Sequence, residues 1–193
     1  MMETKAALRE HVLTNRRLLS DDFLKNVNAK LVENVLDFLE DYDLLSVHCF
    51  LPIANNNEPD TWLLIKELLA LDYEIMTSVT NFKKRSMKHC WVKKNTLYVQ
   101  GAMGIPEPKN CESADVMEAE MVLIPLLACD KKGNRIGYGK GYYDELLSSM
   151  NQNVLKVGLN LTSTFDLFPF KESHDVNLDF CITPTQIIKC HDD

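Results

Sequence analysis

Residues 121–129, MVLIPLLAC, run without a polar side chain into residues 130–145, DKKGNRIGYGKGYYDE, and together they decide the fold. An apolar run of this length predicts a strand buried on both faces. Four of the chain's seven glycines follow at once, between Gly133 and Gly141, and from about Gly141 to Met150 the pattern becomes helical. Strand, glycine turn and helix in succession are the makings of a parallel sheet.

The alternation extends in both directions. Upstream, residues 3–19 read as a basic helix, and Ser20 is an N-cap for a second one in which Leu24, Val27, Leu31, Val35 and Phe38 recur at helical spacing. The run 44–53, LLSVHCFLPI, predicts a buried strand, followed by the loop ANNNEPD and a helix over 61–72 capped by Asp60 or Thr61. Strands are expected at 74–80, 88–94 and 96–100, then a Pro-rich loop at 104–110. Downstream, VLKVGLN at 154–160 and DFCIT at 179–183 read as further strands. The fold class is α/β with a mostly parallel sheet. Ligands of such sheets gather beyond the carboxyl ends of the strands, here the loops after Ile53, Cys129 and Asn160.

With 193 residues the chain has the length of one well-buried domain, 1–193. A net charge of −7 gives no global positive field for a phosphate backbone, so nucleic acid is not an expected partner. Arg16-Arg17 and Lys83-Lys84-Arg85, with Lys88 nearby, read as solvated faces able to meet a small anion. No apolar run reaches the roughly 18 residues of a membrane span, and the N-terminal MMETKAALREH has no apolar h-region. A cytoplasmic protein, monomeric or a small homo-oligomer and away from membranes, is the expectation. Six dispersed cysteines without a CxxC pair predict free thiols. His48-Cys49 and His89-Cys90 look like ligand pairs, but neighbours on a strand face opposite ways and cannot share one metal.

The glycine loop offers backbone N–H groups and a helix N-terminus, both of which favour an anion. Lys140 adds a positive charge, and Arg135 a fork able to bind two phosphate oxygens. The glycines at 137, 139 and 141 do not match GxGxxG, and Lys140 is followed by glycine where a P-loop has Ser or Thr. The same glycines would equally suit tight packing. Asp144 reads as a magnesium ligand beside a phosphate, or as an acid complementing the helix dipole. Tyr138, Tyr142 and Tyr143 read as stacking surfaces or as core.

The stretch Gly133-Asn134-Arg135-Ile136-Gly137-Tyr138-Gly139-Lys140-Gly141-Tyr142-Tyr143-Asp144 resembles the long glycine-tyrosine-aspartate motif of the 5-formyltetrahydrofolate cyclo-ligases, or 5,10-methenyltetrahydrofolate synthetases. Further segments match in family order. They are Lys5-Ala6-Ala7-Leu8-Arg9 with Arg16-Arg17, Phe50-Leu51-Pro52-Ile53, Glu58-Pro59-Asp60-Thr61, Ile105-Pro106-Glu107-Pro108 and His174-Asp175. The resemblance implies a three-layer α/β/α sandwich like that of ribose-phosphate isomerases and CoA transferases. It also implies an ATP- and Mg2+-dependent closure of 5-formyltetrahydrofolate to 5,10-methenyltetrahydrofolate, releasing ADP and phosphate. In that mechanism the formyl oxygen attacks the γ-phosphate, N10 attacks the activated carbon, and phosphate leaves. Positioning and charge neutralisation carry such a transfer.

Carried over to this chain, the resemblance gives ATP to Lys5, Arg9, Arg135, Gly137, Tyr138, Gly139, Lys140, Gly141, Tyr142 and Tyr143, with Lys140 and Arg135 as catalytic cations. Leu51, Glu58, Tyr138, Gly139, Lys140, Gly141 and Tyr142 would face the folate, and Asp144 and Asp175 would hold Mg2+. A glutamate such as Glu58 can accept two parallel hydrogen bonds from the donor edge of a pterin. The substrate's glutamate tail, single or extended, is an anion that Lys83, Lys84 and Arg85 are able to meet. Three departures stand out: a longer loop at Ala54-Asn57, Met103-Gly104 where some relatives carry an aromatic, and Glu145 where arginine is frequent. Two rival readings on the same kind of fold are a sugar-phosphate isomerase or acyltransferase, and a non-catalytic nucleotide or folate sensor.

Overall fold

The computed structural model describes residues 4–169, 172 and 175–190; His174 lies outside the described residues. Its first helix is α1, Lys5–Arg17, where Thr4 supplies the N-cap by accepting a bond from the Ala7 N–H at 3.1 Å. The Ser20 cap expected for the second helix is present, and α2 runs Asp21–Glu40. There follow β1 (Ser46–His48), α3 (Thr61–Ala70, capped by Asp60), β2 (Glu74–Asn81), β3 (Ser86–Val92), β4 (Tyr98–Gln100) and β5 (Pro106–Pro108). The remainder comprises β6 (Met121–Pro125), β7 (Ala128–Cys129), β8 (Arg135–Ile136), α4 (Tyr142–Ser149), β9 (Leu155–Leu159), β10 (Phe180–Ile182) and β11 (Ile187–Lys189).

Seven strands form the central sheet in the order β11-β10-β9-β6-β1-β2-β3. The pairs β2/β1, β1/β6, β6/β9 and β9/β10 are parallel, and only the outermost strands, β3 and β11, run antiparallel to their neighbours. Successive side chains of β6 enter opposite cores, as a strand buried on both faces requires. Met121 and Leu123 join a cluster with Val35, Phe38 and Leu39 of α2 and Leu64 and Leu68 of α3. Val122 and Ile124 join a second cluster with Leu146 and Leu147 of α4. Helices thus cover both faces, giving the three layers expected.

Several elements differ from expectation. The run 44–53 is strand only over Ser46–His48, and the buried residues Cys49 to Leu51 leave the sheet to form a wall at its carboxyl edge. The run 121–129 breaks after Pro125, a residue with no N–H for the ladder. Its last two residues, β7, form a hairpin with β8, so the glycine loop opens as a hairpin before it reaches α4. The Pro-rich loop pairs as β5 with β4 in a small separate sheet, and β11, only three residues long, is too short to show a strand pattern.

The cysteine expectation is corrected as well: Cys90 is bonded to Cys111 and Cys129 to Cys181, while Cys49 and Cys190 are free. Their separations of 21 and 52 residues hide partners that the strands and loops bring together.

Candidate active site

A cavity of about 410 Å3 opens at the carboxyl end of the sheet, and the side chains named from the sequence all line it: Lys5, Arg9, Leu51, Glu58, Arg135, Asp144, Asp175 and the run Gly137 to Tyr143. Its size is that of an ordinary small-molecule site.

The hairpin at the base of the glycine loop is fastened by Asp130, whose buried carboxylate accepts from the Lys132, Asn134 and Phe168 backbone N–H groups and from the Asn134 amide, at 2.8–3.0 Å. Gly133 turns at φ +80, and a β-carbon there would collide with the Leu178 carbonyl. Beyond Ile136 the loop faces the cavity. Arg9 donates to the Gly137 carbonyl at 2.8 Å, and a β-carbon on Gly139, at φ +79, would come within 3.1 Å of its guanidinium. Backbone and cation can approach this closely only because the residue is glycine.

Most charges of this wall are paired. Arg135 is almost wholly buried and donates to the Asp144 carboxylate and to the Val176 carbonyl. Burial lowers its pKa, while Asp144 and Asp175 act in the opposite direction. Lys5 bonds Asp175 at 2.6 Å and Glu172 at 3.0 Å. Partial burial works against the Lys5 charge, but these acids outweigh it and hold the ammonium above its ordinary range. Lys140 is exposed and makes no hydrogen bond or ion pair among the described residues.

Asp144 and Asp175 supply hard oxygen donors on one side of one cavity. No group of three or more potential metal-ligating side chains occurs among the described residues. Two carboxylates fit Mg2+ when phosphate oxygens and water complete its octahedron.

Glu58 is 7% exposed and its Oε2 accepts the Ile53 N–H at 2.6 Å. Desolvation raises its pKa, against the opposing influence of Tyr138, Ile53 and Arg16. The Tyr138 phenol lies beside this carboxyl without a hydrogen bond of ordinary geometry, and burial raises its pKa. Arg16 departs from its expected place on a solvated face. Its guanidinium is buried and donates to the Leu126 and Leu127 carbonyls at 3.0 and 3.3 Å, tying α1 to the break between β6 and β7. The asparagine loop docks on the same helix, with Asn57 donating to the Arg16 carbonyl and Arg17 to the Asn56 side chain.

The opposite wall holds residues that sequence reasoning missed, Ser78, Thr80, Phe82 and Met87 from the β2–β3 hairpin, together with Met103 and Ile105 beyond β4, which the family resemblance had singled out. Phe82 meets Tyr142 edge to face, with ring centroids 5.8 Å apart. The polar residues at alternate positions Ser78 and Thr80, on one face of the strand expected at 74–80, were an available signal. His48 and His89, each read from the sequence only with its neighbouring cysteine, both reach Ser78.

Comparison with known proteins agrees with the motif. A 5-formyltetrahydrofolate cyclo-ligase of Mycolicibacterium smegmatis is 27% identical over 94% of this chain and 94% of its own length. The Haemophilus influenzae 5-formyltetrahydrofolate cyclo-ligase is 33% identical over 54% of this chain, a match that spans 58% of that relative. The solution structure of Aquifex aeolicus 5,10-methenyltetrahydrofolate synthetase superposes with a TM-score of 0.83 at 27% identity, covering 98% of this chain and 94% of that one. The model of the 5-formyltetrahydrofolate cyclo-ligase family matches residues 1–184, and this chain belongs to that family.

Proposed function

We propose that the chain, acting as one domain, converts 5-formyltetrahydrofolate to 5,10-methenyltetrahydrofolate with ATP and Mg2+, releasing ADP and phosphate through a phosphorylated formyl intermediate. The observation that carries this reading is the two-sided cavity. One wall is a glycine loop flanked by two carboxylates, with a Lys140 that has no partner among the described residues, and the other is mainly apolar and aromatic, with Ser78 and Thr80 as its polar members.

An N-formyl oxygen is a poor leaving group, so closure needs that oxygen turned into a phosphate ester. The glycine loop presents its backbone to the triphosphate, and Lys140 meets the charge that develops on the transferring phosphoryl group. Arg135 holds Asp144 in place and, with Lys5 and Arg9, lends positive potential to the same wall. Bound Mg2+, held by Asp144 and Asp175, would supply charge neutralisation on the phosphate oxygens. Leu51, Ile53, Phe82 and Met87 shelter the flat folate from water, and the Glu58 carboxyl faces its donor edge. A cytoplasmic site of action accords with this substrate. Among the described residues no helix is long and apolar enough to cross a membrane.

The test is to incubate purified protein with 5-formyltetrahydrofolate, ATP and magnesium and to follow methenyl product and ADP together. Equal amounts of the two support the reading. Folate conversion without ATP consumption, or binding of both ligands without conversion, overturns it.

A further inference from the structure

Behind the apolar wall lies a polar chain with no part in phosphate binding. His48 of β1 is fully buried, and its Nε2 stands 2.7 Å from the Ser78 hydroxyl on β2. The same hydroxyl is 3.0 Å from Nδ1 of His89 on β3. Ser78 lines the cavity, and His89 sits half-buried on the outermost strand of the sheet.

Hydrogen-bond capacity fixes the direction of this chain. A serine hydroxyl has one proton and two lone pairs. His48 Nδ1 is buried with no neighbour at ordinary hydrogen-bond geometry; its own backbone carbonyl is the sole group that favours a proton there, and a strained bond within one residue compensates a buried N–H poorly. The network therefore assigns the proton of His48 to Nε2, which donates to Ser78. Ser78 in turn donates to His89 Nδ1, which leaves one lone pair on a residue of the cavity lining as an acceptor for a ligand N–H.

Ring closure requires such an acceptor. When N10 bonds to the activated formyl carbon its proton must pass to a base, and a side chain that takes it before phosphate leaves with the electron pair of the carbon–oxygen bond makes that departure irreversible. The carboxylates in the cavity are engaged: Asp144 by Arg135, Asp175 by Lys5, and Glu58 by the Ile53 N–H. We propose that Ser78 takes the N10 proton as its own passes to His89 Nδ1, with His48 as the positioning residue that holds the hydroxyl in line. His89 then releases the proton to solvent from the sheet edge. This inference rests on the reading of the function given above.

The surroundings suit the role. His48 is kept neutral by burial, with the nearby His89 adding to the effect, and its pKa falls to about 3. Burial also lowers that of His89, while Asp115 from the loop beyond β5 opposes the shift. His48 from β1 and Asp115 face the His89 ring, the Tyr143 ring of α4 packs 6.1 Å from that of His48, and His89 is free to accept a proton at neutral pH.

Rapid-quench measurement of one turnover tests the relay, with ADP and methenyl product followed separately. In Ser78→Ala, ADP should form within about twofold of the wild-type rate while methenyl formation slows about a hundredfold, in the range of general-base catalysis. Ser78→Thr, which keeps the hydroxyl, should recover most of the closing rate. In His89→Gln closure should slow likewise, and the acid limb of its pH profile, placed below the ordinary histidine range, should vanish. Equal slowing of both products in Ser78→Ala, no slowing of either, or a threonine variant as slow as alanine would overturn the relay alone. Wild-type protein that forms neither product would overturn the functional reading and the relay with it.

Discussion

The two walls of the cavity are built on opposite principles. The glycine-loop wall is charged, and among the described residues all but Lys140 of its charged side chains already have contacts that a ligand would have to share or displace. The hairpin wall is uncharged and mainly apolar, and its shape comes from packing such as the edge of Phe82 against Tyr142. Paired charges store alternative partners, so the first wall can respond to an anion and a metal ion. An apolar wall offers one stable arrangement and serves to exclude water. The two walls should therefore fail differently when broken.

The largest effect is expected at Arg135. Arg135→Ala leaves Asp144 without its partner and the Val176 carbonyl without a donor, and should destabilise the fold by about 3 kcal/mol, measured by denaturant unfolding. Lys140→Ala removes a side chain with no protein partner among the described residues. It should leave unfolding unchanged and lower turnover more than about tenfold, roughly 1.4 kcal/mol of transition-state stabilisation. Asp144→Ala should lower turnover at least as much, and near-normal kinetics in both would remove the division between structural and reactive charges.

On the other wall, Phe82→Ala gives up an aromatic contact of about 0.5–1.5 kcal/mol. Its KM for the folate should rise severalfold with little change in kcat, whereas a fall in kcat alone would show that the hairpin does more than shelter. The smallest effect is expected at Glu58. Its carboxyl is held above the ordinary range near 4.3, so in this window the folded state binds more protons than the unfolded chain. Stability should decline as pH climbs from about 4.3 through the raised value, and Glu58→Gln should flatten that decline in pH-resolved unfolding.

The same contrast explains what the sequence revealed. Residues Arg135 to Asp144 are contiguous and carry chemistry in their own side chains, so both the cradle and its family motif were legible. The strand at 154–160 was legible from its apolar run, that at 74–80 from its β-branched residues, and α2 from its cap and spacing. The apolar wall was hidden, because Ser78, Phe82 and Met87 come together only through the antiparallel pairing of β2 with β3. The burial of Arg16 was hidden too, since a guanidinium bonded to two backbone carbonyls looks in sequence like any basic helix residue. Pairing of Cys90 with Cys111 depends likewise on a loop returning to a strand.

Asp130 has a consequence for the entropy of ligand capture. Its four N–H donors fix the turn at the base of the glycine loop before any ligand arrives. Ordering a residue costs about 1–2 kcal/mol, and here that loss is confined to the short run from Gly137 to Gly141. Without the anchor, residues 131–136 would have to be ordered at each turnover as well. A carboxylate remote from the chemistry thus leaves more of the binding energy available for the transition state.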